Sequence, residues 1–460
     1  MADKQVPTGR LSRSARLGRL AAGQAARGLG TRLAMIGRTE QARRTLAERS
    51  TLQAAQQIVT VLGGMKGAAM KLGQMASVLD LDLIPEEHRE MFRTKLASLR
   101  DSAPEVPFAD MRAVIEQDLG RLSRVFADFD QEPVAAASIG QVYRARLRDG
   151  RVVAVKVKYP GVDRAVHADM RNLEFFSGLW KSFLPSAADT EVLAEISGNI
   201  VAELDYRREA VNQHRVATRY RGHPFILVPD AVGEFCADNV LVTEFVDGIS
   251  FDQIRHLPAT RRDRIGELVY RFYLTGMFRD GEYCADPHPG NVLLADDGRV
   301  GFVDFGLYNT IERADLEFER QVIRAAHRYD SDEVFRRWSE RGIIAPDSPV
   351  TPESVLEYVW AASGWHLIDE EITLTPEIAT SAVVLATDPR AAQRREVRHL
   401  LLPPEHVFSR RADLFTLTAL GQLEATQNWH RLAREWLYDE PPATEIGREI
   451  EAWRHTVTNA

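Results

Sequence analysis

The spacing of hydrophobic residues changes near residue 125 from a helical period to strict alternation. Residues 51–99 and 108–122 carry apolar positions at helical spacing and are predicted as helices. Gln141–Arg148 and Arg151–Lys158 alternate apolar and polar side chains, and the Asp149-Gly150 pair between them is a strong signal for a tight β-hairpin turn. The pattern therefore predicts a helical segment followed by an antiparallel sheet.

Further short elements are predicted on both sides of these two strands. The additional strands are Val125–Pro133, Val240–Phe245, Val292–Ala295 and Val300–Val303, the last two joined by the tight turn Asp296-Asp297-Gly298. The additional helices span about residues 163–184, 190–219 and 261–279, and most of the chain from residue 312 onward, where prolines interrupt the pattern. Small antiparallel sheets mixed with long helical regions predict an α+β fold.

The charge is distributed unevenly along the 460 residues. The whole chain has a net charge of −8 and therefore gives no reason to expect a nucleic-acid partner. Residues 1–50, however, hold eleven Arg and Lys against three acidic residues. This basic segment is interpreted either as a flexible arm or as a contact with an anionic membrane surface.

The cellular setting is predicted from what the sequence lacks. The two cysteines, Cys236 and Cys284, form no disulfide framework and no metal-binding spacing, which favours a reducing cytoplasm. No apolar run is long enough to predict a membrane span, and the N-terminus lacks the apolar core of a secretory signal. We therefore expect a cytoplasmic protein that lies at the inner face of a membrane, and favour organelle targeting less.

The strongest chemical signal is the run Cys284–Asn291, which Asp304-Phe305-Gly306 follows after two short apolar stretches. Asp286 and Asn291 on one loop, with Asp304 on a second, are typical of a protein-kinase-like site that binds ATP and Mg²⁺. Asp286 is predicted to orient and deprotonate an attacking hydroxyl or water. Asn291 and Asp304 are predicted to hold Mg²⁺ against the phosphates.

Lys156 is the predicted partner of the ATP phosphates. It lies on the strand that ends at Lys158, where Ala154, Lys156 and Lys158 share one face and the intervening valines point into the core. A carboxylate on the following helix has to hold Lys156 in place. Asp205 and Glu209 are four residues apart and can share a helix face, whereas Glu203 and Asp205 cannot. We therefore predict an ion pair between Lys156 and Glu209.

The loop before the first long strand departs from the glycine-rich turn of ordinary kinases. It contains Ala135, Ala136, Ala137 and Ser138, whose Cβ atoms stiffen the backbone and keep it further from the phosphates. These four residues are predicted to form the nucleotide loop. Thr243, Glu244 and Val246, at the end of the strand Val240–Phe245, are also predicted to bind the nucleotide.

Two other departures affect the acceptor side of the site. Cys284-Ala285-Asp286 stands where ordinary protein kinases have His-Arg-Asp. No Ala-Pro-Glu motif follows Asp304, and helical sequence resumes near Ile311, which leaves almost no activation loop. A platform for docking a peptide substrate is therefore not expected.

Several motifs in this order resemble those of one known family. Lys71-x-Gly-Gln74, the alanine loop, Glu203-x-Asp205, Asp286-Pro-x-x-x-Asn291 and Asp-Phe-Gly resemble the UbiB/AarF/ADCK family of atypical kinases, also called the "activity of bc-one complex" family. The similarity covers roughly residues 55–310. It implies a two-lobe kinase-like fold with an N-terminal helical extension over the active site. Lys71 and Gln74 would then lie above the nucleotide and face Glu203 and Asp205.

The resemblance also implies domains and a function. The expected domains are a basic flexible arm (1–50), the helical extension (51–123), an ATP-binding N-lobe (124–248), a C-lobe (249–345) and a helical C-terminal extension (346–460). Members of this family are linked to isoprenoid quinone biosynthesis and lipid homeostasis as ATPases or unorthodox kinases at membranes. The polar C-terminal helices depart from the membrane spans of ubiquinone-type members.

The alternatives from the residues alone are a protein kinase, a small-molecule phosphotransferase and a nucleotide-gated binding module without turnover.

Overall fold

The computed structural model describes residues 106–137, 139–175, 198, 201–285, 287–387, 400 and 404–458. The predictions for residues 1–105, among them Lys71 and Gln74, and those for Ser138 and Asp286 lie outside these described residues. The chain divides into two compact units. The first contains residues up to Arg144 together with Lys156–Leu204, and the second contains Ala145–Val155 together with the chain from Asp205 onward.

The described part of the first unit combines helices with the N-terminal strands. Its helices are α1 (Phe108–Leu119), α2 (Leu122–Val125) and α3 (Val162–Phe175), and its strands are β1 (Phe126–Phe129), β2 (Ala135–Ala136) and the adjoining parts of β3 (Gly140–Leu147) and β4 (Val152–Lys158). The ring of Tyr143 on β3 lies 5.6 Å from that of Phe108 and 5.5 Å from that of Phe129. These rings pack α1 against the sheet.

The second unit is larger and mainly helical. Its helices are α4 (Tyr206–Arg219), α5 (Phe251–Ile254), α6 (Ala259–Tyr270), α7 (Gly276–Asp280), α8 (Arg313–His327), α9 (Ser331–Glu340), α10 (Pro352–Ser363), α11 (Pro376–Thr387), α12 (Pro404–Leu423), α13 (Trp429–Leu437) and α14 (Glu445–Thr458). Its complete strands are β5 (Ile226–Leu227), β6 (Val240–Glu244), β7 (Gly248–Ser250), β8 (Glu282–Cys284), β9 (Val292–Ala295), β10 (Val300–Phe302), β11 (Tyr308–Thr310), β12 (Ile372–Thr373) and β13 (Thr426–Gln427). Short 3₁₀ turns cover Gly233–Phe235, Pro289–Asn291 and Gly364–His366.

Both hairpins predicted from Asp-Gly turns are confirmed. Gly150 has a φ of 93°, and the amide of Leu147 donates to the Arg151 carbonyl at 2.9 Å. In the second hairpin Gly298 has a φ of 88°, and β9 pairs antiparallel with β10. Only glycine adopts these left-handed conformations without strain, so the two glycines define the turns. The second hairpin lies inside a four-stranded sheet with the order β5-β10-β9-β7.

The chain interrupts the predicted helix 190–219 at residues 203–205. Asp205 is the N-cap of α4, and its carboxylate accepts the backbone N–H of Arg208 at 2.9 Å. An aspartate that satisfies an amide at a helix start favours a break in the helix at this position. The prediction that Asp205 and Glu209 share a helix face is therefore wrong, because only Glu209 lies within α4.

The predicted helix 261–279 is also not uniform. Between α6 and α7 the chain forms one π-helical turn, Arg271–Thr275, in which Gly276 donates its amide to the carbonyl of Arg271. A π turn widens the helix by one residue and is frequent at functional sites. The turn brings the ring of Phe272 onto that of Phe302 in β10, with ring centres 3.8 Å apart.

The C-terminal helices share one hydrophobic core with α6 and α7. Phe278 stacks on Trp436 of α13 at 3.9 Å, and both side chains are buried. Arg271, also buried, donates to Glu267 at 2.8 Å and to both carboxylate oxygens of Glu435 at 2.7 and 2.9 Å. A buried arginine is stable only when its donors are paired in this way, so the ion pairs fix α13 against the π turn. No helix among the described residues is long and apolar enough to cross a membrane.

Replacing Gly248 by alanine is expected to destabilise the second unit. A Cβ atom on Gly248 would meet the backbone carbonyl oxygen of Leu294 and come within 2.8 Å of the Cα atom of Ala295, because β7 and β9 pair there. Backbone atoms in a sheet cannot yield, so we expect a loss of about 1–3 kcal/mol in the free energy of unfolding by denaturant. The control is Gly233→Ala, whose added methyl group meets no atom within 4 Å. Equal stabilities of the two variants would contradict the prediction.

Candidate nucleotide and metal site

The segment between β8 and β9 positions Asn291 at the start of β9. Nδ1 of His288 accepts the amide of Gly290 at 3.0 Å, and the amide of Asn291 donates to the carbonyl of His288 at 2.9 Å. Pro289 begins this 3₁₀ turn, where its missing N–H leaves no hydrogen bond unmade. These hydrogen bonds therefore fix the backbone that carries the Asn291 side chain.

Asp304 lies next to Asn291 across the two loops. The amide of Val303 donates to the carbonyl of Asn291 at 3.0 Å. Asp304 itself has a left-handed backbone with a φ of 70°, and its Oδ1 accepts the amide of Gly306 at 3.2 Å. Aspartate tolerates this conformation better than most residues, and strained backbone often occurs at functional sites. The two residues that the sequence predicts as metal ligands thus lie side by side.

The residues around Phe305 are held from several directions. Asn212 on α4 donates its Nδ2 to the carbonyl of Phe305 at 3.2 Å, and Ala285 donates its amide to the carbonyl of Leu307 at 2.8 Å. The Sγ atom of Cys284 lies 3.9 Å from the carbonyl oxygen of Asp304. The backbone of this segment is therefore fixed by both α4 and β8.

A short strand follows Asp-Phe-Gly in place of an activation loop. In β11 Tyr308 pairs with Cys284 of β8, and α8 begins at Arg313. The expectation that helical structure resumes soon after Ile311 is confirmed. Burial raises the pKa of Tyr308 above its usual range, and the nearby Tyr220 and Glu282 act in the same direction. Tyr308 is therefore a neutral, buried residue that closes the segment behind the site.

Glu209 lies close to Gly306 and to Asp304. A Cβ atom on Gly306 would be 3.4 Å from Oε2 of Glu209 and 3.5 Å from Oδ1 of Asp304. The Glu209 side chain is only 2% exposed, and a buried carboxylate requires a cation or hydrogen-bond donors. Burial raises the pKa of the Cys236 thiol, and the negative charge of Glu209 acts in the same direction. Glu209 thus places a buried carboxyl group near Asp304.

The first unit contains the other predicted ATP-binding residues. Lys156 is half-buried on β4, between the fully buried Val155 and Val157, which confirms the expected alternation at this position. Lys158 differs, because it is buried and its Nζ pairs with Asp163 at 2.9 Å, so it does not share an open face with Lys156. The pairing of Lys156 with Glu209, which belongs to the second unit, stays a prediction.

The alanine segment is a short strand and not a simple loop. Ala135 and Ala136 are exposed, and they pair antiparallel with Val142 and Gln141 of β3. The amide of Ala137 donates to the carbonyl of Gly140 at 2.8 Å and closes a tight turn. Ala135 and Ala136 therefore lie exposed on a strand that pairs with β3.

The remaining predicted nucleotide residues are placed as follows. Glu203 is half-buried in the turn before α4, and Asp205 is the N-cap described above. Glu244 accepts the amide of Asp230 on Oε2 at 2.9 Å, so part of its carboxylate is engaged within the second unit. Thr243 precedes Glu244, Val246 follows it by two positions, and both are half-buried. Their contact with a nucleotide stays a prediction.

The residues that are present fit a magnesium ion. Mg²⁺ prefers hard oxygen ligands and keeps several waters, and in ATP-dependent enzymes it takes one or two protein ligands plus phosphate oxygens. The Asp304 carboxylate and the Asn291 amide supply such a pair. Within the described ranges no three His, Cys, Asp or Glu side chains gather into a metal site, so a cage made only of such residues is not found there.

Sequence reasoning did not single out two residues that support the site. Asn212 lies three positions after Glu209, and an amide residue on the same helix as a predicted site carboxylate is the signal that could have identified it. His288 lies between two prolines in the run Asp286–Asn291. Its local role follows from capping the turn at Asn291.

Comparisons with known proteins point in the same direction as the geometry. The family model of the ABC1 atypical kinase-like domain matches residues 98–337. The mitochondrial atypical kinase COQ8B of Rattus norvegicus is 31% identical over 79% of this chain and 70% of its own length. The chloroplastic protein ACTIVITY OF BC1 COMPLEX KINASE 8 of Arabidopsis thaliana is 30% identical over 61% of this chain. UbiB of Aeromonas salmonicida, named a probable protein kinase, is 32% identical over 61% of this chain.

The relatives differ in how much of their length the chain spans. The match covers 38% of the Arabidopsis protein and 53% of UbiB. A solved structure, the complex of Rv3197 with erythromycin from Mycobacterium tuberculosis, matches 85% of this chain and 97% of that chain. Its TM-score is 0.61 and its sequence identity is 32%.

Replacing Asn212 by alanine is expected to release the Asp-Phe-Gly segment. The variant leaves the carbonyl of Phe305 without its side-chain donor, and an unsatisfied buried group costs about 1–3 kcal/mol of stability. We expect a lower thermal midpoint and weaker Mg·ATP binding by calorimetry. Thr218→Ala, which changes an exposed residue of the same helix, is the control. Unchanged binding and stability in the Asn212 variant would contradict the role of this hydrogen bond.

Proposed function

Because the chain belongs to the family of ABC1 atypical kinase-like proteins, we propose that it binds Mg·ATP and transfers the γ-phosphoryl group to water or to a slim acceptor. The observation that carries the proposal is the adjacency of Asn291 and Asp304, joined by the hydrogen bond between Val303 and the Asn291 carbonyl. Two oxygen ligands held by adjoining loops are what a phosphate-bridging metal requires. Phosphoryl transfer needs little covalent chemistry from the protein beyond such positioning.

The residues nearest the reacting phosphate have the following tasks in this proposal. Asn291 and Asp304 hold Mg²⁺, which neutralises charge on the transferred phosphoryl group when it is bound. Asp286 orients the attacking oxygen and accepts its proton. Lys156 contacts the α- and β-phosphates, and Glu209 holds its ammonium group in place. The alanines at 135–137 and Ser138 cover the phosphates.

The proposed acceptor and location follow from the family. We propose that the activity supports isoprenoid quinone biosynthesis or lipid homeostasis, and that it takes place where the cytoplasm meets a membrane surface. The short connection from Gly306 to α8 supports a small acceptor, because a peptide substrate would need the platform that an activation segment provides. The basic composition of residues 1–50 supports an anionic surface.

Phosphate release from Mg·ATP tests this function. We expect the wild type to release phosphate, anionic vesicles to raise the rate, and Asp304→Asn to lower it by at least about 100-fold, the loss typical when a group that stabilises transition-state charge is removed. Asparagine also accepts a left-handed backbone, so the variant changes the charge and leaves the turn intact. Asp296→Asn, on the exposed hairpin between β9 and β10, is the control.

The outcomes separate the proposal from its rivals. Turnover in Asp304→Asn at the wild-type rate would overturn the metal assignment. ATP binding without release in the wild type would favour a nucleotide-gated binding module. Transfer of the phosphate to an added protein, with no release to water, would favour a protein kinase.

A second candidate is the binding of a large macrocyclic lactone. It is favoured by the solved M. tuberculosis complex with erythromycin, which the chain matches over nearly the full length of that relative. We expect erythromycin to quench the tryptophan fluorescence of the wild type in a saturable way, and the quenching to persist in Asp304→Asn, which alters only the metal ligand. A signal that rises linearly without saturation would contradict this candidate.

A further inference from the structure

Two contacts join the N-terminal half of α4 to the Asp-Phe-Gly segment. A Cβ atom on Gly306 would lie 3.4 Å from Oε2 of Glu209, and Asn212 donates to the carbonyl of Phe305 at 3.2 Å. Both contacts come from one side of the helix, because residues three positions apart face the same way. The position of α4 along its axis therefore decides where the Glu209 carboxyl group lies relative to this segment.

The C-terminal half of α4 makes ionic contacts with β8 and the residues before it. Nη2 of Arg219 lies 2.8 Å from Oε1 of Glu282, the first residue of β8. Nη1 of Arg219 is 3.9 Å from Oδ2 of Asp280, and Nε of Arg215 is 3.9 Å from Oε2 of Glu282. The guanidinium of Arg215 also lies 5.3 Å from the ring centre of Tyr308. The ion pair between Arg219 and Glu282 is the closest of these contacts.

The carboxylate of Glu282 is largely shielded from water. Its side chain is 15% exposed, and its Oε2 makes no hydrogen bond within the part of the chain that the structure describes. A carboxylate that has lost most of its water depends on a nearby cation, and the guanidinium of Arg219 is the nearest one. The pair is therefore sensitive to the loss of either partner, in contrast to ion pairs on an open surface.

The other contacts of α4 lead to different parts of the second unit. Gln213 donates its side-chain amide to the carbonyl of Pro229 at 2.5 Å, and Val216 and Ala217 are buried in the apolar core. Apolar contacts have no preferred direction and permit small shifts of a helix. Glu282 differs, because it begins β8, which pairs with β11, the strand that follows Asp-Phe-Gly. The ion pair therefore ties the C-terminal half of α4 to the sheet beside the site.

We propose that Glu282 is a positioning residue for phosphoryl transfer. Through Arg219 it sets the position of α4, and α4 sets the positions of Glu209 and of the Phe305 carbonyl. The inference rests on the proposed function, because a shifted α4 affects the reaction by misplacing the carboxyl group near Asp304. Phosphoryl transfer depends mainly on positioning, and a displacement of about 1 Å can lower such a rate by roughly 100-fold.

Kinetics of three variants test the inference. The variants are Glu282→Gln, Arg219→Gln and the double variant. We expect each single variant to release phosphate from Mg·ATP with a kcat about tenfold lower, and with a KM within about twofold of the wild type, because the residues that bind the phosphates and the metal are retained. The double variant is expected to lose no more than either single variant, because the two side chains act as one pair.

The control is Glu340→Gln, which removes the carboxylate of an exposed ion pair with Arg336 on α9. We expect this variant to keep the wild-type kcat and KM, because exposed pairs contribute little and α9 carries none of the proposed site residues.

Hydrogen exchange gives a second readout that needs no catalysis. The amides of residues 304–310 are expected to exchange at least about fivefold faster in both single variants than in the wild type, because the contacts from α4 are weakened. An ion pair with a merely structural role would lower the thermal midpoint and leave both kcat and this exchange unchanged under conditions where the variant is folded. That result would overturn the proposal.

The remaining outcomes separate the positioning role from the proposed function. A wild-type kcat in folded Glu282→Gln would reject the positioning role and leave phosphoryl transfer standing, as would a loss in the double variant equal to the product of the two single losses. No phosphate release by the wild type, together with faster exchange in the variants, would reject phosphoryl transfer and support the link from Glu282 to the segment. If Glu282→Gln does not fold, Arg219→Gln decides the question with the same expected losses.

Discussion

The backbone hydrogen bond from Val303 to the Asn291 carbonyl is the contact on which the site depends. It joins the loop that ends at Asn291 to the loop that begins at Val303. The two loops lie at the open end of the β9–β10 hairpin, in which Val292 and Phe302 are paired residues. The hairpin turns at Gly298, whose left-handed backbone sets the register. A slip of one residue would turn Asn291 or Asp304 away from the metal position, because successive strand residues face opposite sides.

Packing supports this hydrogen bond from below. Phe302 lies under the ring of Phe272 in the π turn, and Arg271, in the same turn, is held by Glu267 and Glu435. The C-terminal helices therefore do more than extend the core. Glu435 binds Arg271 in the π turn, and Trp436 stacks on Phe278 in the helix that follows. The π turn in turn packs against the β9–β10 hairpin through Phe272 and Phe302.

Much of this architecture was predictable from the sequence. The α+β kinase-like fold is confirmed, as are both Asp-Gly hairpins and the early return to helix after Asp-Phe-Gly. These features depend on local signals, namely turn residues with special backbone angles and the period of the apolar positions. Asn291 and Asp304 were predicted from the kinase-like motifs that contain them, and the hairpin between them brings their backbones together over a short stretch of chain.

The features that the sequence did not predict depend on particular pairs of residues, some of them local and some distant along the chain. The break before α4 uses Asp205 as a cap, although the helical period continues through it. The strands β12 and β13 are two residues each and pair across more than fifty positions. Arg271, in the π turn, pairs with Glu435, which is distant along the chain, and the buried Lys158 pairs with Asp163. Side-chain pairing decides these positions, and propensity alone does not encode it.

The strand β11 has a thermodynamic consequence. In kinases with a long activation segment, ordering that segment consumes part of the binding or phosphorylation free energy in each activation event. Here Tyr308, Asn309 and Thr310 are already paired with β8, so the entropy of ordering was lost once, when the chain folded. The segment that follows Asp304 is therefore already ordered before a ligand binds. The free energy of association is not reduced by the cost of ordering it.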